Sequence, residues 1–124
     1  MNNEVRIALI DDQDIFRITL ASLLEKRMKA KVVYRTSDGN ELLNKLDEEE
    51  IDLVITDVAM PQMDGVLLCK KIREKKPNQK IIVLTTYNDK PLVKKLFKIG
   101  VDGFLAKDSK LEEMLALVKD VAYR

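Results

Sequence analysis

Three carboxylates stand directly after apolar runs: Asp11 and Asp12 follow Val5–Ile10, and Asp57 follows Ile51–Thr56. Two further reactive groups end later runs, the hydroxyl of Thr85 and the ammonium of Lys107. Carboxylates gathered in one place raise one another's pKa values and oppose folding, so a cation is expected among them. A hard divalent ion is the chemical match. Mg²⁺ prefers about six oxygen ligands at roughly 2.1 Å and usually takes only one or two from carboxylates. A carboxylate, a Mg²⁺ site, a hydroxyl donor and a lysine are the parts needed to put a phosphoryl group on an aspartate. The cations neutralise the phosphoryl oxygens while a carboxylate approaches in line.

Whether these groups meet depends on the elements that carry them. Runs such as VRIALI and IDLVIT are short, rich in Val, Ile and Leu, and barely alternate, the pattern of strands buried on both faces. Strands are read at Val5–Ile10, Lys31–Thr36, Leu53–Thr56, Ile81–Thr85 and Gly103–Ala106. Helices are read at about Asp14–Met28, Gly39–Asp47, Val66–Lys75, Lys90–Ile99 and Lys110–Ala122. This alternation predicts an α/β fold, a doubly wound five-stranded parallel sheet of order 2-1-3-4-5 with five helices, in one domain over residues 1–124. Sites on such sheets lie at the switch point, here between the first and third strands, which carry Asp11, Asp12 and Asp57.

Local signals support the same elements. Ser109 with Glu112 reads as a capping box for the fifth helix, and Asp14 as the N-cap of the first. Gly100 suits a left-handed C-cap, Gly65 a turn geometry, and Pro61 fixes φ in the loop after Asp57. Pro77 ends the third helix and Pro91 sits in the first turn of the fourth. The basic run Lys70–Lys76 reads as the solvated face of the third helix, and Asp47–Glu50 as a solvated loop. Ile15, Ile18 and Leu117 fall off the main apolar stripes of their helices and hint at a partner surface.

Bulk properties narrow the functional classes. The chain is 46% hydrophobic and 35% charged, with a formal charge of +1, so no global field favours nucleic acid or membrane. The single Cys69 excludes an intramolecular disulfide and fits a reducing compartment. No apolar run approaches the ~20 residues of a membrane span, so the expected location is cytoplasmic. The chain contains no histidine, and histidine chemistry must come from another molecule.

Four motifs, IALIDD, VITDVAMPQMDG, VLTTY and GVDGFLAKD, resemble in order and spacing the receiver domain of bacterial two-component response regulators. The resemblance runs from about Val5 to Val121, and LTTY with Lys107-Asp108 is similar to the NarL/FixJ (LuxR-like) branch. It implies a flavodoxin-like receiver fold and a phosphoryl group taken from a sensor histidine kinase onto Asp57. It also implies Mg²⁺ ligated by Asp12, Asp57 and the backbone carbonyl of Ala59, with Asp11 acting through water. Lys107 would pair with the phosphoryl group, Thr85 would be the switch hydroxyl, and Phe104 the aromatic that follows it. Beyond self-phosphorylation and autodephosphorylation, the resemblance implies no enzyme activity. A phosphorylation-dependent homodimer is the expected output, through the first and fifth helices, as Ile15, Ile18 and Leu117 hint, or through the fourth helix, fifth strand and fifth helix.

Departures matter. Asp108 stands where many receivers have proline, so no cis bond is inferred. Phe104 lacks the hydroxyl of the tyrosine often found there, so its switching is expected to work through packing. Ala59 and Tyr87 occupy positions that tune dephosphorylation in the family. Members of this branch usually end in a DNA-binding helix-turn-helix, which these residues do not include, so a stand-alone receiver is the alternative. A Mg²⁺-dependent phosphohydrolase with an aspartyl nucleophile is the rival from another class. Asp12-Gln13-Asp14 offers its D-x-D, but Phe16 stands where Thr or Val is required.

Overall fold

The computed structural model describes residues 4–60, 63–86 and 90–124. Pro61 and Tyr87, singled out above, lie outside the described residues. The elements run β1 (Val5–Ile10), α1 (Asp14–Arg27), β2 (Ala30–Thr36), α2 (Gly39–Glu48), β3 (Leu53–Asp57), β4 (Ala59–Met60), β5 (Met63–Asp64), α3 (Gly65–Lys75), β6 (Lys80–Thr85), α4 (Lys90–Ile99), β7 (Gly103–Ala106) and α5 (Leu111–Ala122). Five strands form one sheet in the order β2-β1-β3-β6-β7, every pairing parallel. This is the expected 2-1-3-4-5 order, with β6 and β7 as its fourth and fifth strands.

Strand residues alternate between two cores, which explains why the strands show no polar face. Ile7, Leu9, Leu53, Ile55, Ile82 and Leu84 point to one side and pack with Leu20 and Leu24 of α1 and Met114, Leu115 and Val118 of α5. Ala8, Ile10, Val54, Ile81 and Val83 point to the other, against Leu42 of α2, Leu68 and Ile72 of α3 and Leu96 of α4. Truncating one of these buried leucines or isoleucines to alanine typically costs about 2–5 kcal/mol.

Several local expectations need correction. Residues 59–60 and 63–64 form a two-stranded antiparallel ribbon, too short to leave a periodic signal. Asp14 does not cap α1; Gln13 is the N-cap, and Asp14 pairs with Arg17 at 2.8 Å. The fifth helix starts one residue late, with Lys110 as its N-cap; Ser109 N–H donates to Ala106 O at 3.0 Å, and Glu112 turns to Arg27 of α1 at 2.9 Å. Asp38 and Asp64, not singled out as caps from sequence, do cap α2 and α3 by accepting backbone N–H bonds. Asp47 and Glu48 belong to α2, and Asp47 pairs with Lys75. Leu117 is half-buried and packs toward Gly103.

Two glycines act differently. Gly100 adopts φ +96 and closes α4 as a Schellman motif, with Gly100 N–H donating to Phe97 O at 3.0 Å and Val101 N–H to Leu96 O at 3.3 Å. Gly65 does not have positive φ; a Cβ there would lie 2.3 Å from Val58 Cα, so its requirement is space, not a turn geometry. Arg73 likewise leaves the solvated face assigned to it. Its guanidinium donates to Pro77 O (2.8 Å), Gln79 O (2.7 Å) and Gly100 O (2.6 Å), tying the loop before β6 to the end of α4.

Candidate functional site

The parallel pairing sets Ile10 beside Thr36 and Thr56, and Asp57 beside Leu84. The strands therefore end together, and the residues at their C-terminal ends gather along one sheet edge. Asp11 and Asp57 are buried, while Asp12 is the more accessible carboxylate. One oxygen from each lies within 4.8 Å of the others. Asp11 N–H donates to Thr36 O at 3.1 Å, and Asp11 Oδ1 accepts the Gln13 N–H at 2.8 Å. Ala59 N–H, at the start of the ribbon, donates to Asp57 Oδ1 at 2.9 Å.

Lys107 reaches into this cluster from the end of β7. Its Nζ lies 2.8 Å from Asp57 Oδ2, 2.8 Å from Asp11 Oδ2 and 2.7 Å from Gln13 Oε1. The Phe16 ring lies 5.0 Å from the same nitrogen, a cation–π contact. Burial pushes the Asp11 carboxyl above its ordinary pKa, more than Lys107 and the Gln13 N–H offset. Burial alone would lower Lys107, but the two carboxylates outweigh it and hold the ammonium above its ordinary value.

Three carboxylates against one ammonium leave the cluster short of positive charge. Asp11 Oδ2 is buried with no aligned hydrogen bond, its polar contact being the ion pair with Lys107. An under-satisfied buried carboxylate oxygen within an all-oxygen donor set fits a hard divalent cation. Thr85 ends β6 opposite Ala106, and its carbonyl accepts the Lys107 N–H at 2.9 Å. Phe104 packs edge-on against Phe97 of α4, with ring centroids 4.7 Å apart.

Asp11, Asp12, Asp57 and Lys107 thus meet at one edge, with Ala59 beside Asp57 and Thr85 at the neighbouring strand end. Gln13 and Phe16, contacts of Lys107, were missed as site residues. Their pairing with Lys107 spans the length of the chain, and no local spacing could reveal it. Phe16 was singled out only against the rival hydrolase, which expects Thr or Val there.

A sheet of this order with an acidic cluster and a lysine at its switch point defines a phosphoacceptor domain, and the family comparisons agree. The model of the response regulator receiver domain matches residues 7–119, and the chain belongs to that family. Its relatives place it in the NarL/LuxR-like branch. The transcriptional regulatory protein LnrK of Bacillus subtilis is 36% identical over 117 residues, which cover 94% of this chain and 53% of LnrK. The chain spans about half the length of the curated relatives it matches. A LuxR-family response regulator from Aurantimonas superposes with a TM-score of 0.90 at 26% identity, covering 98% of this chain and 86% of that one. The isolated receiver domain of RcsB from Salmonella enterica, solved with the phosphomimetic BeF3⁻, gives 0.83 at 27% identity over 95% of this chain and 90% of that one. Among the described residues, no helix is long and apolar enough to cross a membrane.

Proposed function

We propose that residues 1–124 form one receiver domain in which Asp57 accepts a phosphoryl group from the phosphohistidine of a sensor kinase. The observation that carries this is the state of Asp57. Its carboxylate is buried at the end of the central strand, held by Ala59 N–H and Lys107 Nζ, and adjacent to Asp11 and Asp12. A carboxylate so fixed has little orientation left to lose before attack. An Asp57 oxygen forms the new O–P bond as the P–N bond of the donor breaks and the imidazole keeps the electron pair. Lys107 moves its hydrogen bond from Asp57 to a phosphoryl oxygen.

Asp11, Asp12, Asp57 and the Ala59 carbonyl are the groups that would hold Mg²⁺. Bound there, the ion supplies charge neutralisation for the phosphoryl oxygens. The added charge favours the conformer with Thr85 drawn to the phosphoryl group, and Phe104 then repacks against α4. LnrK is named a transcriptional regulatory protein, and RcsB has been solved bound to a promoter. On that footing we assign the output to transcription, through a DNA-binding domain outside residues 1–124, and the location to the cytoplasm.

Incubation with Mg²⁺ and acetyl phosphate, followed by intact mass, tests the central step. One phosphoryl group is expected on the wild type, none on Asp57→Ala, and none when EDTA removes the metal. A group retained on Asp57→Ala defeats the assignment. Rapid turnover of small phosphate esters would support the hydrolase instead. Thr85→Ala is expected to take up the phosphoryl group but lose the change it induces.

A further inference from the structure

Gln13 does none of the things its position predicts. As N-cap of α1 its side chain should accept from the first helical N–H groups, yet it makes no such bond. Its Oε1 accepts instead from Lys107 Nζ at 2.7 Å, and its backbone N–H donates to Asp11 Oδ1 at 2.8 Å. An ammonium has three donors. Here Asp57 and Gln13 accept two of them, Asp11 Oδ2 lies 2.8 Å away as an ion pair, and Phe16 lies beside the same nitrogen. Of the three oxygen partners, Gln13 alone is neutral and exposed.

Resting on the phosphoacceptor reading above, we propose that Gln13 is a positioning residue that tethers Lys107 for phosphoryl transfer. When Asp57 forms its bond to phosphorus, the carboxylate oxygen facing Lys107 stops being its partner. A lysine held by carboxylates alone would be drawn further onto Asp11. The Gln13 amide keeps the ammonium on the α1 side of the cluster, where it is free to turn to a phosphoryl oxygen. A neutral acceptor does this without adding a fourth negative charge to a site that must admit an anionic donor. Glutamate at this position would hold the lysine more strongly and repel the donor.

The test compares phosphorylation rates by acetyl phosphate and Mg²⁺, followed by intact mass, for wild type, Gln13→Met, Gln13→Glu, Lys107→Ala and the Gln13→Met/Lys107→Ala double variant. Methionine keeps the length of glutamine and removes the acceptor. Loss of one hydrogen bond from the charged ammonium predicts a rate lower by about tenfold or more, with Gln13→Glu lower still and relieved by raised ionic strength. Because Gln13 acts through Lys107, the methionine change is expected to add nothing in the Lys107→Ala background. Metal affinity, measured by calorimetry with Mg²⁺ alone, should stay within about twofold of wild type for Gln13→Met. An unchanged rate in Gln13→Met, or the same loss with and without Lys107, overturns the tether. Failure of the wild type itself to gain a phosphoryl group would instead defeat the phosphoacceptor reading.

Discussion

Gly65 has no room for a side chain, and the atoms it would strike belong to Val58. Val58 lies between Asp57 and Ala59, whose N–H holds the Asp57 carboxylate. A methyl group at position 65 therefore pushes on the backbone that aims the nucleophile. Overpacking of this kind typically costs about 1–3 kcal/mol. Gly65→Ala is expected to lower the urea midpoint accordingly, and to slow Asp57 phosphorylation even at temperatures where the variant is fully folded. If its folded rate equals that of wild type, the contact with Val58 is absorbed without moving Asp57. Asp11, Asp12, Asp57, Thr85 and Lys107 were readable as neighbours along one sheet edge because each ends or follows an apolar run, and parallel strands end together. Gln13 was not, because its partner lies 94 residues away. Gly65 was marked as special for the wrong reason: sequence shows that a glycine is present but not whether it serves φ or space.

At the scale of elements, the junction of β2 and α2 forms a small network beside the acidic cluster. Thr36 passes its carbonyl to Asp11 N–H and its hydroxyl to Glu41, which also accepts from Tyr34 Oη at 2.9 Å. Burial, then the hydrogen bond to Glu41, pushes the Tyr34 phenol up to about 12. A raised folded value means that its contribution is full below the ordinary value of 10.0 and is lost as pH rises through about 12. A tyrosinate absorbance step near pH 12 is therefore expected in the wild type and missing in Tyr34→Phe. If the step that Tyr34→Phe removes lies instead at the ordinary value of 10.0, the network is open in solution. The strands and helices themselves were readable within a residue or two, because buried parallel strands and amphipathic helices leave different periods. The ribbon after Asp57 was not, since two-residue strands have no period. The caps at Asp14 and Ser109 were misread as well: Arg17 and Arg27 pair with the acidic residues those readings invoked.

Across the whole molecule, α1 and α5 cover one face of the sheet and α2, α3 and α4 the other, yet α1 turns two isoleucines outward. Ile15 is 82% exposed and Ile18 57%. Leu117, which falls off the helical stripe and was the third residue of that hint, is half-buried and packs against the core. These two side chains make α1 one candidate face for self-association, and Phe97 of α4, 61% exposed, marks the other. Sedimentation with Mg²⁺ and BeF3⁻ is expected to show a dimer for the wild type. If α1 carries the interface, Ile18→Glu should weaken it at least tenfold, about 1.4 kcal/mol. Unaltered association of Ile18→Glu would move the interface elsewhere. The receiver family and the fold were legible at this scale; which apolar residues remain outside was only partly so, because a helical stripe has blurred edges.

The Arg73 clamp bears on how such a molecule could move. It fastens the Gly100 end of α4 to the loop before β6, at the opposite edge of the sheet from Asp57. A ten-residue helix is about 15 Å long. Fixed at its far end, α4 is a lever with its fulcrum at Gly100, and a swing of roughly 10° there carries Lys90 by about 2–3 Å. Small adjustments beside Thr85 would then be read out as travel of the helix start, while the other edge of the sheet stays still.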